Sequence, residues 1–442
     1  MYSSSDDSLS SDNEEEVSKG IVGQFYNNRY LCLKYLGRGT FCRTWLVYDF
    51  ETKKFYAMKM LGDKFTEDGE NEIAIFSKVS NLDNPNSRII KLYDHFESNG
   101  CIHLIIELMG ICILDLIDAF YEQDQNIPIP FMKSMFFDTL KGVKELHDKG
   151  IIHTDIKGEN IMIDSEPKKI QDIKTWFIDL TLHDKYLEWI TYELPENFLT
   201  LNTKKRKKIK KKCKERALKR ASAFLKEELV KYCEGQSEGV GEGQSEGVGE
   251  GQSDGQSDGV GESFDMKRSF ITKIIDLGNC EHMDHREQEI IQIINYRPPE
   301  NIIGEFYDTK SDIWTIGCIL YEMFTGDYMF IIDRREYDNS LDCDRAMLHQ
   351  MYEMLGKMPL DMTKNCDFSK DLFDSKGRII HHKTVTNKQI HEELMNKSDL
   401  ELKEALVIED LLKKMLNYDP KLRSTVDECL NHPWFNYSVV NS

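Results

Sequence analysis

From Ser165 to Arg268 the chain changes character, and any fold it adopts must close across that interruption. Lys204 to Arg220 (KKRKKIKKKCKERALKR) holds twelve basic residues and one acid. The octet GQSEGVGE then runs twice from Gly235 to Glu250 and continues with variation to Glu262. Each octet offers a single Val to bury, so the repeat reads as a flexible linker rather than a solenoid. The basic run reads as a solvated helix whose stripe is Ile209, Cys213, Ala217, Ala221 and Phe224. An exposed spacer, a localisation signal and a contact for an acidic partner are all compatible with it.

On either side the pattern is globular. Short runs rich in β-branched and aromatic residues (RYLCLKYLG, TWLVYDF, KFYAMKML, IIKLYDHF, CIHLIIEL) predict an antiparallel sheet between Tyr30 and Glu107. Within it Glu67 to Val79 has the spacing of a single helix, with Glu72 among Ile73, Phe76 and Val79. From Leu114 the pattern turns helical in FMKSMFFDTLKGVKELHDKG, KSDIWTIGCILYEMFTG, DRAMLHQMYEMLG and LVIEDLLKKMLNYD. The reading is an α+β chain. An acidic, disordered tail (1–20) precedes a β-rich lobe (21–110). A helical lobe follows in two parts (111–165 and 269–436) around a spacer (166–268), with a short tail (437–442). The segment CIHLIIELMGICILDLIDAF carries His103, Glu107, Asp115 and Asp118, and so predicts a buried strand and helix, not a membrane span. The acidic first residues have no apolar core of a secretory signal.

The formal charge is -20, and the basic run alone contributes +11, so the rest stands near -31. That argues against a general nucleic-acid coat and for a basic partner. Eleven scattered cysteines, an odd number without a Cys-x-x-Cys pair, predict reduced thiols in a cytosolic or nuclear protein.

Four strings carry chemistry. In LGRGTFCRTWLVYDF, Gly37 and Gly39 lie between two strands, where backbone NH groups can close over phosphates. Leu36, Arg38, Thr40, Phe41, Cys42 and Thr44 complete that loop. Lys59, in AMKM, is placed to reach phosphate oxygens, with Glu72 as its ion-pair partner. In HTDIKGEN, Asp155 is suited to orient a hydroxyl, Lys157 to neutralise a migrating phosphoryl group, and Asn160 to hold Mg²⁺ through its amide oxygen. In IIDLGN, Asp276 supplies a carboxylate for the same metal.

In this order the strings resemble the protein kinase family, from residue 25 to 436 apart from the insert. The resemblance implies two lobes with ATP and Mg²⁺ in the cleft. Glu107 and Met109 become the hinge that meets adenine, with Ile106 behind it. Pro299 and Glu300 in YRPPE match the APE-like segment, Asp312 lies on the central buried helix, and Arg423 in DPKLRST is the expected partner of Glu300. Lys157 favours Ser/Thr acceptors. HTDIK, DLGN, the short stretch from Asp276 to Glu300, and TGDYMF are similar to the SR-protein kinases of the CMGC group, which act on Arg-Ser repeats. That family also carries a spacer between its metal-binding Asn and Asp, here 116 residues apart. The resemblance therefore implies a serine/threonine kinase for basic, Arg/Ser-rich proteins of the splicing-factor type. It is expected to be monomeric in cytoplasm and nucleus, with no direct nucleic-acid or membrane partner. LAMMER-type or cyclin-dependent-type kinases, and a catalytically weak kinase-fold scaffold, remain as alternatives.

Two departures stand out. Ile293 occupies the position where family members have a threonine bridging the catalytic Asp and Lys, which touches acceptor preference or rate. Gly158 replaces the proline of HTDIKPEN, which affects loop rigidity. Thr154 stands where many kinases have an arginine that pairs with a phosphate, and no Ser or Thr occurs between Asp276 and Glu300. An enzyme active without activation-segment phosphorylation is the expectation. Asp338, Asp342, Asp344 and Glu353 are the candidate acids for docking a basic peptide. Cys42 and Cys280 are expected to be inert thiols.

Overall fold

The computed structural model describes residues 21–39, 42–79, 84–123, 125–237, 270–286, 288–337, 339–380 and 387–436. The acidic tail, the repeat beyond Ser237, the last six residues and the candidates Thr40, Phe41 and Asp338 lie outside the described residues. In chain order the strands are β1 (Phe25–Tyr26), β2 (Tyr30–Arg38), β3 (Cys42–Asp49), β4 (Lys54–Leu61), β5 (Leu92–Ser98), β6 (Cys101–Ile106), β7 (Ile151–Ile152), β8 (Ile161–Ile163), β9 (Thr272–Ile274) and β10 (Glu281–His282). The helices used below are α1 (Thr66–Val79), α2 (Ile113–Tyr121), α3 (Ile129–His147), α4 (Lys168–Asp179), α5 (Leu182–Tyr192), α6 (Thr203–Ser237), α7 (Pro299–Ile302), α8 (Lys310–Thr325) and α9 (Ser340–Leu355). Among the described residues no helix is long and apolar enough to cross a membrane.

The chain divides into two compact units. The first joins residues 1–66, 92–108 and 168–256. Its sheet is antiparallel, ordered β1-β2-β3-β4-β6-β5. Successive strand residues point to opposite faces, and here both faces are apolar. Tyr30, Cys32, Trp45, Val47 and Met58 pack together on one side. Leu31, Leu33, Leu46, Tyr48 and Phe50 form the other, and they are covered by α4, α5 and α6. Tyr48 meets Phe177 at 4.7 Å between ring centroids, and Phe50 meets Tyr186 edge-on at 5.1 Å.

The basic run therefore differs from the solvated helix expected of it. Asn202 accepts the Lys205 amide at 2.9 Å beside the first turn of α6, and Lys and Arg are good helix formers. The anticipated stripe faces the sheet, with Cys213, Ala217, Leu218, Ala221 and Leu225 buried and Ile209 and Phe224 partly so. The reason is the sheet itself: its second face is as apolar as the first and needs a cover.

The second unit joins residues 67–91, 109–167 and 257–442. Its core surrounds α8, in which every residue from Ser311 to Thr325 is buried. The break in the chain is closed here by a two-stranded ladder. Ile161 pairs with Ile274, Met162 with Lys273 and Ile163 with Thr272. The Ile275 amide donates to Asn160 O at 2.9 Å, so the ladder sets the two metal-ligand candidates at its adjoining ends. Gly110 permits a close crossing in this unit, because a Cβ there would lie 1.8 Å from Ser165 O.

Candidate active site

The loop from His153 to Asn160 follows β7 and leads into β8. Thr154 sits at φ 64°, a left-handed conformation that costs a non-glycine residue about 1–2 kcal/mol. Buried Asp312 holds it there. Its carboxylate accepts the amides of His153 (2.9 Å) and Thr154 (3.1 Å), and lies 2.9 Å from His147 Nε2. The Asp155 amide donates to His153 Nδ1 at 3.3 Å, which puts the His153 proton on Nε2, 3.1 Å from Ile275 O. The loop is thus tied to the strand that carries Asp276.

Asp155 Oδ2 is the meeting point. Lys157 Nζ lies 3.1 Å from it, and the amide nitrogens of Asn160 and Asn279 each approach it at 3.3 Å. Asn160 also donates to Asp155 O at 2.8 Å. Its NH₂ group is thereby fixed inward, which leaves the amide oxygen as its lone-pair donor, the kind of ligand a hard cation takes. Thr154 Oγ1 donates to Asn279 O at 2.6 Å and Gln288 Nε2 to the same oxygen at 2.9 Å, so Asn279 is itself positioned.

Asp276 has φ 59° at the turn beyond β9. Asn71 on α1 donates to Gly278 O at 2.8 Å, holding α1 against this turn. A Cβ on Gly278 would lie 3.7 Å from Asp276 Oδ1 and 3.8 Å from Glu72 Oε2, so the two carboxylates flank one glycine. Cys280, fully enclosed, has its thiol pushed well above the usual range by burial and then by the charges of Asp312, Asp276, Glu72 and Asp155. It is an inert thiol. That concentration of carboxylates would suit a divalent cation that keeps part of its water shell.

In the first unit, β2 and β3 bring Gly37 opposite Thr44 and Arg38 opposite Arg43, and β4 pairs Lys59 with Thr44 on one side. Lys59 is buried between Thr44 and Leu104. The Gly39 amide donates to Cys42 O at 3.0 Å, and a Cβ on Gly39 would meet Cys42 Sγ at 2.9 Å. A side chain at 39 would therefore have to displace that thiol. Leu36 packs partly into the cluster under α4 to α6, and Glu107 and Leu108 close this unit. Met109, buried, opens the second.

Glu300 and Arg423 form a bidentate pair at 2.8 and 2.7 Å with both side chains enclosed. Ser311 donates to the same carboxylate at 2.8 Å. The docking candidates are less unified. On α9, Asp342 and Glu353 share a face, but Asp344 projects about 200° around the axis from Asp342 at ~100° per residue. Asp342 pairs with Arg345 at 2.9 Å, Glu353 lies 3.9 Å from His349, and Asp344 lies 3.9 Å from Arg297. Arg297 in turn donates to Ile291 O and Gln292 O, so Asp344 faces the segment before Glu300. Ile293 stands exposed, and Asp155 and Lys157 pair directly without a bridging hydroxyl.

Sequence reasoning passed over Asn279 and a further acid, Glu322. Glu322 is buried on α8 and accepts a hydrogen bond from Tyr296. Burial first, and then Glu159, Asp118 and Asp327, push its carboxyl up to about 7. The signal was available: a lone acid inside the apolar run ILYEMF asks for a reason.

Comparison with known proteins agrees with this geometry. Residues 30–175 and 264–435 match the family described as "Protein kinase domain". The chain is 28% identical to "Serine/threonine-protein kinase SRPK" of Physarum polycephalum, over 93% of this chain and 87% of that protein. It is 27% identical to "SRSF protein kinase 3" of Mus musculus, over 94% and 88%. It is also 27% identical to "Putative serine/threonine-protein kinase L205" of Acanthamoeba polyphaga mimivirus, over 98% and 92%.

Proposed function

The chain belongs to the protein kinase family, as a serine/threonine kinase, and from that premise we propose that it transfers the γ-phosphate of ATP to serines of basic, Arg/Ser-rich proteins. The observation that carries the reading is the convergence of Lys157, Asn160 and Asn279 on Asp155 Oδ2. With two nitrogens and an ammonium around it, this carboxylate is aimed rather than free, as a group that orients an acceptor hydroxyl must be. Lys157 is placed to follow the charge of the moving phosphoryl group. Within the first unit, Lys59 and the amides of the Gly37–Gly39 turn are suited to phosphate oxygens. Asn160 Oδ1 and the Asp276 carboxylate fit a magnesium ion, which when bound neutralises charge on the β- and γ-phosphates.

The acceptor class follows from charge. The formal charge of -20, near -31 without the basic run, favours a basic, arginine-rich acceptor. The relatives named for SR or SRSF proteins support the same class. Activity without a phosphate on the segment from Asp276 to Glu300 is part of the proposal. Thr154 Oγ1 supports it by bonding Asn279 O, as does Glu281, which accepts Gln288 N at 2.8 Å and the Tyr307 hydroxyl. A distribution over cytoplasm and nucleus is also proposed, on the basic run, and imaging of the tagged chain tests it.

The central experiment gives labelled ATP and Mg²⁺ to the wild type and to Asp155→Ala, with an Arg-Ser peptide, an Arg-free serine peptide and a tyrosine peptide. Wild type labels the Arg-Ser peptide best, and Asp155→Ala loses about 10²–10⁴-fold in rate. An unchanged rate in the variant rejects the assigned role, and equal labelling of the Arg-free peptide rejects the substrate class.

A further inference from the structure

We propose that the outer face of α6, with Tyr192 at its edge, binds a single strand of nucleic acid. Nine lysines between 204 and 219 are exposed, and among the described residues none has an ion-pair partner. The buried stripe of Cys213, Ala217, Ala221 and Leu225 fixes which way the helix is turned. At ~100° per residue, Lys204, Lys208, Lys212 and Lys219 then point away from the sheet, flanked by Lys205 and Lys211. Glu215 is the one acid among them. Like charges three and four apart on a helix repel, so this face is stabilised by a polyanion. The total charge of -20 argues against a general nucleic-acid coat, but the field of one local face is set by the charges on it. The proposal thus departs from the expectation of no nucleic-acid partner.

The surroundings of the face select the kind of polyanion. Glu193, at the end of α5, holds Arg216 at 3.5 Å and Arg220 at 3.2 Å. This sets Tyr192, 86% exposed, at the end of the lysine row. An exposed ring beside a row of cations is a platform on which a base stacks. Lysine meets phosphate as a point charge, whereas phosphoserine is gripped by the arginine fork, and the two exposed arginines of the run are held by Glu193. Leu182, Tyr186 and Ile190 of α5 are buried in the same cluster, so neither helix has its apolar face left to lay into a bilayer. The major groove of a duplex is about 12 Å wide and takes a bare helix, not one backed by a sheet. From Lys204 to Arg220 the run is about 24 Å long at its rise per residue. That is the length of about seven nucleotides at ~3.4 Å each.

The test measures binding of a fluorescent oligouridine, U₁₂ RNA, to the full chain by anisotropy, from about 50 to 200 mM salt. The wild type is expected to bind at low salt and to weaken steeply as salt rises. A variant with Lys204, Lys208, Lys212 and Lys219→Gln is expected to bind at least about tenfold more weakly at low salt. Its slope of log affinity against log salt is expected to be shallower by about 3, at ~0.7 for each phosphate no longer neutralised. Tyr192→Ala is expected to weaken binding about fivefold or more with the slope unchanged, because it removes a stack and no charge. No binding by the wild type, or wild-type affinity in either variant, overturns the proposal. So does tighter binding of phosphatidylserine vesicles, of a serine-phosphorylated peptide of the same charge, or of the duplex form of the RNA, which assigns the face to a membrane, a phosphoprotein or a helical nucleic acid instead.

Discussion

The catalytic loop and the inserted helices use charge in opposite ways. In the loop, Asp155, Asp312 and the enclosed Glu300–Arg423 pair have named partners at hydrogen-bond distance. Along the basic run of α6 the lysines from 204 to 219 are exposed and have no ion-pair partner among the described residues, while the apolar stripe beneath them is buried. A buried charge without partners is costly, so in the loop geometry is dictated residue by residue. An exposed charge is nearly indifferent to its neighbours. The helix is held by its hydrophobic side, and its charges are left for another role.

This contrast predicts a ranking of effects. Arg423→Ala leaves Glu300 buried and alone and lowers stability by about 3–5 kcal/mol, read by denaturant unfolding. A loss under 1 kcal/mol would mean the pair is dispensable. In the insert the sensitive positions are apolar instead: Phe177→Ala removes a ring packed on Tyr48 and costs about 3 kcal/mol. If stability is unchanged, α4 does not cover the sheet in solution.

Glu322 sharpens the comparison through pH. Its folded value, about 7, lies above its ordinary 4.5. The unfolded chain therefore gives up this proton first as pH rises. The stability tied to the neutral carboxyl is complete below 4.5 and is lost on going up to about 7. The wild type should fall by on the order of 3 kcal/mol over that window, and Glu322→Gln should flatten the slope. A parallel pH profile in the two proteins removes the buried neutral acid from the account. The smallest effect belongs to the exposed face of α6, where Lys208→Ala changes stability by no more than about 0.5 kcal/mol.

Much of the site was legible from local strings. HTDIKGEN and IIDLGN concentrate polar residues of fixed spacing in apolar surroundings, and such residues must be satisfied by one another. Asn279 and Glu322 were missed because their partners, Asp155 and Tyr296, lie 124 and 26 positions away. The docking acids of α9 illustrate the converse. Their clustering along the chain does not survive winding into a helix, which turns Asp344 toward Arg297. The role of the inserted segment was half legible. Its stripe was visible at helical spacing, but the surface it covers was not.

By itself the sequence determined which residues are helical or extended, which strings hold chemistry, and where the chain is interrupted, because periodicity and residue type act over a few neighbours. Tertiary structure alone decided that β8 and β9 close the break, that both faces of the first sheet are covered, and that the basic run has an inside. Those outcomes depend on apolar surfaces and polar groups far apart in the chain, which are matched only when the elements pack.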